Sequence, residues 1–243
     1  MNALPDRGAK PMGRKAYGSI PHLIGSRRGP KDWGVNEGQH RICTEKVRDR
    51  HDWIVVQEKL DGSCCAVANV DGEIVALGRA GFLASTSPYE QHHVFHDWVE
   101  ANRPRFEAIL SPGERVVGEW LALAHGTRYD LKHDPFVAFD IMRGADRVTA
   151  EEARTRCAPY LPVPHVIAAG NAPVSIEAAL AALGTHGHHG ATDPVEGAMW
   201  RVERQGKVDF LAKFVVEGKV DGAYLAEIAG CEPIWNWRPE PRA

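Results

Sequence analysis

Apolar residues occur in short runs that end at glycine, proline or aspartate, a pattern typical of strands joined by tight turns. The runs predict seven strands, over residues 53–59, 64–70, 73–78, 115–121, 136–142, 195–202 and 208–216. Asp71-Gly72 and Gln205-Gly206 each stand between two consecutive runs and predict hairpin turns. Cys64 and Cys65 are adjacent within a strand, so we expect one thiol on each side of the sheet.

Four other segments are predicted to be helical, over residues 89–110, 149–159, 175–183 and 220–229. Pro104 should break or kink the first, and Thr149 with Glu152 forms a capping box at the start of the second. Composition rich in glycine, proline or histidine predicts loops or linkers at residues 17–38, 159–164 and 184–193. Because hairpins are interspersed with helices, we expect an α+β domain built on antiparallel sheets that are flanked by helices.

The 243 residues are enough for one sizeable domain. We expect a loose N-terminal segment over residues 1–16, a domain over residues 17–230 and a C-terminal tail over residues 231–243. Trp235 and Trp237 in that tail either pack onto the domain or stack on nucleic-acid bases.

A formal net charge of −3 argues against a uniformly basic nucleic-acid binder but leaves room for a local basic groove. Five cysteines without a Cys-x-x-Cys pair suit reduced thiols better than a disulfide framework or a zinc site. No apolar run is long enough to span a membrane, and the N-terminus has no signal-peptide core. We therefore expect a cytoplasmic protein with no membrane partner.

Lys59 stands between an apolar strand and an Asp61-Gly62 turn. A strand fixes the backbone and a turn exposes the side chain, so this is a suitable place for a reactive lysine. A lysine attacks only as the neutral amine, which requires a pKa below its ordinary value near 10.4. Taken alone, the pattern also fits an exposed lysine at the end of a hairpin.

Charged residues interrupt four apolar strands, at Glu119, Asp140, Glu196 and Lys213. Such charges are costly to bury unless they are paired or face a cleft. Each could be a half-exposed or salt-bridged residue, but together they indicate a polar cleft near Lys59.

Six sequence elements follow one another in a characteristic order: Glu58-Lys59-Leu60-Asp61-Gly62, Arg79, Gly118-Glu119, Phe139-Asp140, Glu196-Gly197 and Lys213. Over residues 17–216 this order resembles the covalent nucleotidyltransferases, which comprise polynucleotide ligases and RNA capping enzymes. Pro21-His22-Leu23 and the Val195–Ala198 motif are more similar to the ATP-dependent RNA ligases than to the DNA ligases. The resemblance implies the fold of a ligase adenylation domain.

The resemblance also implies a chemistry for each residue. Lys59 would attack the α-phosphate of ATP and form lysyl-AMP, while Lys213 would neutralise the phosphate charge. For the nucleotide, the resemblance implies a backbone contact of Glu58 with adenine, stacking of Phe139 on adenine, and a contact of Arg79 with the ribose or the 3′-OH end. For the metal, it implies that Glu196 binds Mg²⁺ or Mn²⁺ and that Glu119 contacts the ribose or a metal-bound water. Lys213 and the metal would also lower the pKa of Lys59. The implied partner is a nucleic acid, RNA rather than DNA, with 5′-phosphate and 3′-OH ends.

Two departures from the family pattern affect these expectations. The family commonly has two alternating lysines in the last motif, whereas Lys213 is followed two residues later by Val215. The loss of one cation would either weaken binding of the triphosphate or shift that role to Lys207 or Lys219. The chain also ends about thirty residues after that motif. We expect either a minimal ligase or one in which a protein partner replaces a C-terminal domain.

Alternatives of the same fold are a GTP-dependent capping-type guanylyltransferase, a DNA nick ligase and a non-catalytic nucleic-acid-binding relative. Histidines in residues 92–96 and 186–189 could bind a transition metal, but we expect solvated side chains in the first group and a flexible polar loop in the second.

Overall fold

The structure is a computed structural model that describes residues 8–230 and 232–239. Two sheets form its framework, one with four strands in the order β7-β1-β8-β9 and one with five in the order β3-β2-β4-β5-β6. The strands are β1 (Asp52–Lys59), β2 (Ser63–Val70), β3 (Glu73–Gly78), β4 (Glu114–Trp120), β5 (Phe136–Arg143), β6 (Asp146–Arg147), β7 (Val166–Gly170), β8 (Gly197–Arg204) and β9 (Lys207–Val215). All neighbouring strands are antiparallel, as the sequence predicts.

The helices are α1 (Glu37–Thr44), α2 (Glu90–Ala101), α3 (Arg103–Ile109), α4 (Ala150–Cys157), α5 (Ile176–Leu183) and the short α6 (Ala226–Ala229). The first five cover the outer faces of the sheets, whereas α6 buries none of its residues. Cys43 of α1 and Leu183 of α5 pack in one core with the four-stranded sheet. Phe95 of α2, Phe106 of α3 and Cys157 of α4 pack in a second core with the five-stranded sheet.

Strand alternation decides which side chains face inward, between the sheets. Ile54 and Val56 of β1 belong to the outer core beneath α1 and α5. The opposite side of β1 therefore carries Gln57 and Lys59, and both line a cavity between the sheets. In β2, Cys65 belongs to the outer core, whereas Cys64 belongs to an inner cluster, as expected for adjacent residues.

All seven predicted strands and both predicted hairpin turns are present. Asp71 and Gly72 have φ of 52° and 95°, and Gln205 and Gly206 have φ of 51° and 74°, as two-residue turns of this kind require. The chain breaks between α2 and α3 as predicted, although Pro104 lies in the first turn of α3, where a missing N–H costs nothing.

Other local predictions were wrong or incomplete. The helix predicted over residues 220–229 is confined to Ala226–Ala229, because Gly222 adopts a φ of 69° that a helix excludes. The edge strand β7 and the two-residue β6 were not predicted. Helix α1 was also missed, although Asn36 and Gln39 form a full capping box at its start.

Both ends of the described chain contact the domain. Ala16 is buried, and its carbonyl accepts a hydrogen bond of 2.7 Å from Arg115 Nε. Trp237 packs edge-on against Trp120 at 5.8 Å, and Trp235 pairs with Leu123. Residues 1–7 and 240–243 and Cys231 lie outside the described residues. Within residues 8–230 and 232–239, no helix is both long and apolar enough to cross a membrane.

Candidate active site

A cavity of about 610 Å³ lies between the two sheets. Its walls contain every site residue that the sequence predicts, namely Glu58, Lys59, Arg79, Glu119, Phe139, Glu196 and Lys213. These residues come from separate strands and turns distributed over 156 positions of the chain, from 58 to 213. The fold therefore brings together three of the four charges that interrupt the apolar strands, namely Glu119, Glu196 and Lys213.

Lys59 is the last residue of β1, and its ammonium donates to Glu196 Oε2 in a largely buried ion pair. Burial alone would lower the pKa of Lys59, but the carboxylates of Glu196, Glu119 and Asp61 outweigh burial and raise it. We expected neighbouring cations to lower the pKa of Lys59. The side chains around Lys59 raise it instead, because they include more carboxylates than lysines.

The turn after Lys59 is held rigidly. The Asp61 N–H donates to the Tyr129 hydroxyl at 3.0 Å, and the Gly62 N–H donates to Glu119 Oε1 at 3.1 Å. A Cβ at Gly62 would lie 2.5 Å from the carbonyl oxygen of Trp120, so a larger residue would push the turn off β4. Asp61 and Gly62 thus fix the position from which Lys59 extends.

The two glutamates of the cavity hold their protons more tightly than exposed carboxyls. Burial raises the pKa of Glu119 to about 8. Repulsion from the charges of Glu196 and Asp61 acts in the same direction, and the positive charge of Lys59 opposes it. Burial likewise raises the pKa of Glu196 to about 7 against the opposing charge of Lys59. A bound cation would relieve this cost by stabilising the ionised oxygens.

Glu119 and Glu196 fit a hard divalent cation, which prefers oxygen ligands. No group of three or more histidine, cysteine, aspartate or glutamate side chains in the part of the chain that the structure describes is arranged to hold a metal ion. A cation bound here would therefore take its remaining ligands from phosphate and water, as Mg²⁺ commonly does.

Lys213 lies on β9 and is anchored by the glycine-rich loop that precedes α1. Its N–H donates to Pro21 O at 2.9 Å, and its carbonyl accepts from the Leu23 N–H at 2.8 Å. Burial lowers the pKa of Lys213, as does the nearby charge of Lys59, with Asp32 and Glu196 opposing. The loop thus has a defined task, which is to hold the second lysine of the cavity in place.

Phe139 enters the cavity because β5 contains a bulge. Val117 of β4 pairs with Asp140 and Gly118 pairs with Ala138, so Phe139 is the extra residue between them. Its ring contacts Tyr17 edge-on at 5.4 Å, and the ring stays half-buried. The bulge directs both Phe139 and Asp140 toward the space between the sheets.

Asp140 has a different environment from the other charged residues. It is fully buried and accepts from the Tyr17 hydroxyl at 2.9 Å, with Arg147 at 3.1 Å and Arg201 at 3.0 Å. Arg201 lies on β8, so this cluster ties the two sheets together. Sequence reasoning missed Arg201, although an arginine between Trp200 and Val202 in an apolar strand was a signal of the same kind as Glu119.

Glu58 and Arg79 line the cavity but already have partners. The Glu58 side chain lies on the outer side of β1, where Oε2 accepts from the His188 N–H at 3.0 Å and burial raises its pKa to about 7. The Glu58 N–H donates to the His165 carbonyl. The exposed Arg79 donates to the carbonyl of Gly18 at 3.2 Å, next to the mouth of the cavity.

His92 was expected to be solvated, and that prediction was wrong. It lines the cavity, with Nε2 at 3.1 Å from Ser63 Oγ and Nδ1 at 2.6 Å from Ser87 Oγ. Ser63 begins β2, Ser87 lies in the turn before α2, and His92 lies in α2. Only the tertiary fold brings these three residues together, so their spacing in the sequence did not reveal the contact.

Part of the histidine-rich loop packs against neighbouring residues, while His186 and His188 remain exposed. The His188 ring stacks on His165 with centroids 3.6 Å apart. His189 is 7% exposed and lies beside His133, with ring nitrogens 3.0 Å apart. The loop therefore serves as a wall behind β1.

Comparisons with known proteins agree with this architecture. The family model for RNA ligase matches residues 52–215. An archaeal ATP-dependent RNA ligase aligns with a TM-score of 0.50 and 17% identity over 82% of this chain and 48% of its own. Mutants of Naegleria gruberi RNA ligase with AMP and Mn and with ATP and Mn each give a TM-score of 0.52 at 16% and 14% identity, over 80% of this chain and 59% of theirs.

This chain thus spans about half to three fifths of the length of those solved structures. At such identities the likeness establishes a shared fold. No curated protein sequence matches the chain.

Proposed function

This chain belongs to the RNA ligase family, and on that premise we propose that it is an ATP-dependent RNA ligase that adenylates itself at Lys59. The observation that carries the proposal is the convergence of Lys59, Glu119, Phe139, Glu196 and Lys213 on one cavity between the sheets. A lysine, acidic oxygens, a second cation and an aromatic ring are what nucleotidyl transfer to an amine requires.

In the first step the neutral Lys59 amine attacks the α-phosphorus of ATP. A P–N bond forms, the bond from that phosphorus to the bridging oxygen breaks, and pyrophosphate leaves with the electron pair. The lysine loses one proton before the attack and one after it. Because Glu196 accepts a hydrogen bond from the Lys59 ammonium, withdrawal of Glu196 favours the neutral amine.

In the second step an oxygen of an RNA 5′-phosphate attacks the adenylate phosphorus, the P–N bond breaks, and Lys59 leaves as the amine because its nitrogen takes up a proton. In the third step a 3′-OH attacks the 5′-phosphorus, loses its proton and expels AMP as the phosphodiester forms. Splitting one difficult transfer into covalent steps is the usual advantage of a nucleophile.

The remaining cavity residues have roles that their positions support. Lys213 neutralises charge on the α-phosphate, and Phe139 stacks on the base. Arg79, at the cavity mouth, is placed to meet the ribose or the 3′-OH end. Glu196 and Glu119 would hold Mg²⁺ or Mn²⁺, which supplies positive charge to the phosphates when bound.

The Glu58 backbone lines the cavity, and we assign its contact with adenine to that backbone, because the side chain points to the other face of β1.

Intact-mass analysis after incubation with ATP and Mg²⁺ tests the proposal. We expect wild type to gain an adenylate, Lys59→Ala to gain none, and Lys207→Ala, which changes an exposed lysine at the start of β9, to behave as wild type. Wild type without an adduct would contradict the proposal, and an adduct with GTP alone would replace it with a capping-type activity. Nicked RNA, nicked DNA and single-stranded ends then identify the polynucleotide.

A further inference from the structure

The last sequence motif of this site contains one lysine, Lys213, although binding of a triphosphate requires more positive charge. Lys213 faces the cavity, but Val215, two residues later, is buried and apolar. The protein groups near Lys59 include three carboxylates, those of Asp61, Glu119 and Glu196. A triphosphate would need further cations to approach such a site.

Lys207 cannot supply the missing charge. It begins β9, pairs with Arg204 at the far hairpin and is exposed. Six residues of extended strand separate it from Lys213, which corresponds to about 20 Å. That distance exceeds the reach of a lysine side chain.

Lys219 is much closer to the reacting lysine. Its Nζ donates to Thr127 Oγ1 at 2.6 Å and to Gly126 O at 3.1 Å. Thr127 is fully buried, and its hydroxyl donates to Asp61 Oδ2 at 3.1 Å. The ammonium of Lys219 is therefore two hydrogen bonds from Asp61, which itself follows Lys59 by two residues.

The contact depends on a glycine. A Cβ at Gly126 would lie 2.6 Å from Asp61 Oδ2 and 2.8 Å from Val220 O, so only a glycine lets these three segments meet. The carbonyl of His125 also accepts from the Tyr224 N–H at 2.7 Å. The segment that carries Lys219 is thus hydrogen-bonded to residues 125–127, and Thr127 connects it to Asp61.

Two other cations lie near the cavity. Arg27 pairs with the carboxylate of Asp221 at 2.9 Å, and Arg79, which also lines the cavity, is assigned to the ribose or the 3′-OH end. The partners of Lys219 are a hydroxyl and a carbonyl, which leave its charge uncompensated by direct contact. The side chain is half-buried, and Asp221 and Gly222, which follow Lys219 in the chain, line the cavity.

We propose that Lys219, positioned by Thr127, is the second phosphate-binding cation of this site and contacts the triphosphate of ATP. This inference rests on the proposed function and assigns to Lys219 the role that Val215 cannot fill. Because pyrophosphate departs in the first step, Lys219 matters for self-adenylation and is dispensable for sealing an RNA that is already adenylated.

The test compares Lys219→Met with the control Lys207→Met and the charge-conserving Lys219→Arg. The rate of adenylate formation is measured against ATP concentration, and sealing of a pre-adenylated RNA is measured separately. We expect Lys219→Met to raise the half-saturating ATP concentration about tenfold or more, as loss of a charged hydrogen bond predicts. Lys219→Arg should restore most of the affinity, and Lys207→Met should match wild type.

Thr127→Val keeps the charge of Lys219 but removes its hydroxyl partner, and it should weaken ATP binding in the same direction. A half-saturating concentration within twofold of wild type in Lys219→Met would overturn the inference alone. Equal losses in adenylation and in sealing would do the same, since they indicate a damaged fold. Wild type that forms no adduct with ATP would overturn both the inference and the proposed function.

Discussion

Lys59 and Glu196 form an ion pair across the neighbouring strands β1 and β8, with Lys59 18% and Glu196 9% exposed. Lys59 is paired in register with Gly197, so Glu196 lies at the point where β8 begins. The proposed nucleophile therefore rests as a cation against the carboxylate that we assign to metal binding. Charge at one residue controls the protonation of the other.

The first prediction concerns the pKa of Lys59 in metal-free buffer. We expect the wild-type pKa to lie above the ordinary lysine value, and Glu196→Gln to lower it, because burial and Lys213 then act with less opposition. The measurement is a pH titration of the ¹³Cε resonance of Lys59, assigned by its loss in Lys59→Arg. Glu217→Gln, which changes an exposed residue, is the control, and equal titration of both variants would contradict the ion pair.

The second prediction concerns stability and Glu119. Its pKa in the folded protein, about 8, exceeds the ordinary value of 4.5, so folding favours the protonated form. This contribution is complete below about pH 4 and is lost as the pH rises through 8. Glutamine stays neutral and keeps an oxygen for the Gly62 N–H. In chelator-containing buffer, Glu119→Gln should raise Tm at pH 9 by about 2–4 °C, which corresponds to about 1 kcal/mol.

That advantage of Glu119→Gln should shrink toward pH 5, where wild-type Glu119 is already protonated. Thermal unfolding followed by circular dichroism at pH 5, 7 and 9 gives the comparison. A variant that is less stable than wild type at pH 9 would show that the carboxylate stabilises the fold there.

The third prediction concerns the charged cluster that joins the sheets. Arg201→Met removes one of the cations that pair with the buried Asp140. Loss of one partner of a buried ion pair lowers the free energy of unfolding by about 3–5 kcal/mol. Arg147→Met removes another cation from Asp140 but at a more exposed position, so its cost should be smaller. Urea unfolding measures both, and the double change Arg201→Met with Asp140→Leu should recover part of the loss. Equal costs for the two single variants would contradict this ranking.

The strands could be predicted because their signal is local. Alternating apolar residues and the Asp71-Gly72 and Gln205-Gly206 turns specify the hairpins without knowledge of the rest of the chain. The missed β7 contains mostly small or β-branched residues between two proline- and glycine-rich segments, and only its pairing with β1 makes it a strand. The helix predicted at residues 220–229 was wrong in its first half because Gly222 adopts a φ of 69°, which a helix excludes.

Part of the candidate site could be predicted because charged residues inside apolar strands are costly to bury without a partner, whereas the roles of Glu58, Arg79 and Phe139 came from the resemblance to the nucleotidyltransferases. The cost of burial identified Glu119, Glu196 and Lys213, but it could not separate them from Asp140, whose partner Arg201 is 61 positions away in the chain. The direction of the Lys59 pKa was also beyond sequence, since it depends on Glu196, which is 137 residues away. Local patterns indicate which residues matter, and only tertiary contacts determine their charge.

The last prediction separates a residue that serves the ligand from one that serves the core. Phe136 is fully buried among Phe95, Trp98 and Phe106, so Phe136→Ala should destabilise the protein by about 3–5 kcal/mol. Phe139, three residues later, sits on the bulge and faces the cavity. Phe139→Ala should unfold at nearly the wild-type urea concentration but raise the half-saturating ATP concentration for adenylation about tenfold, because base stacking contributes about 1–3 kcal/mol. Urea unfolding and adenylation rates on the same two variants give the result, and a Phe139→Ala protein with wild-type ATP dependence would show that this ring does not contact the base.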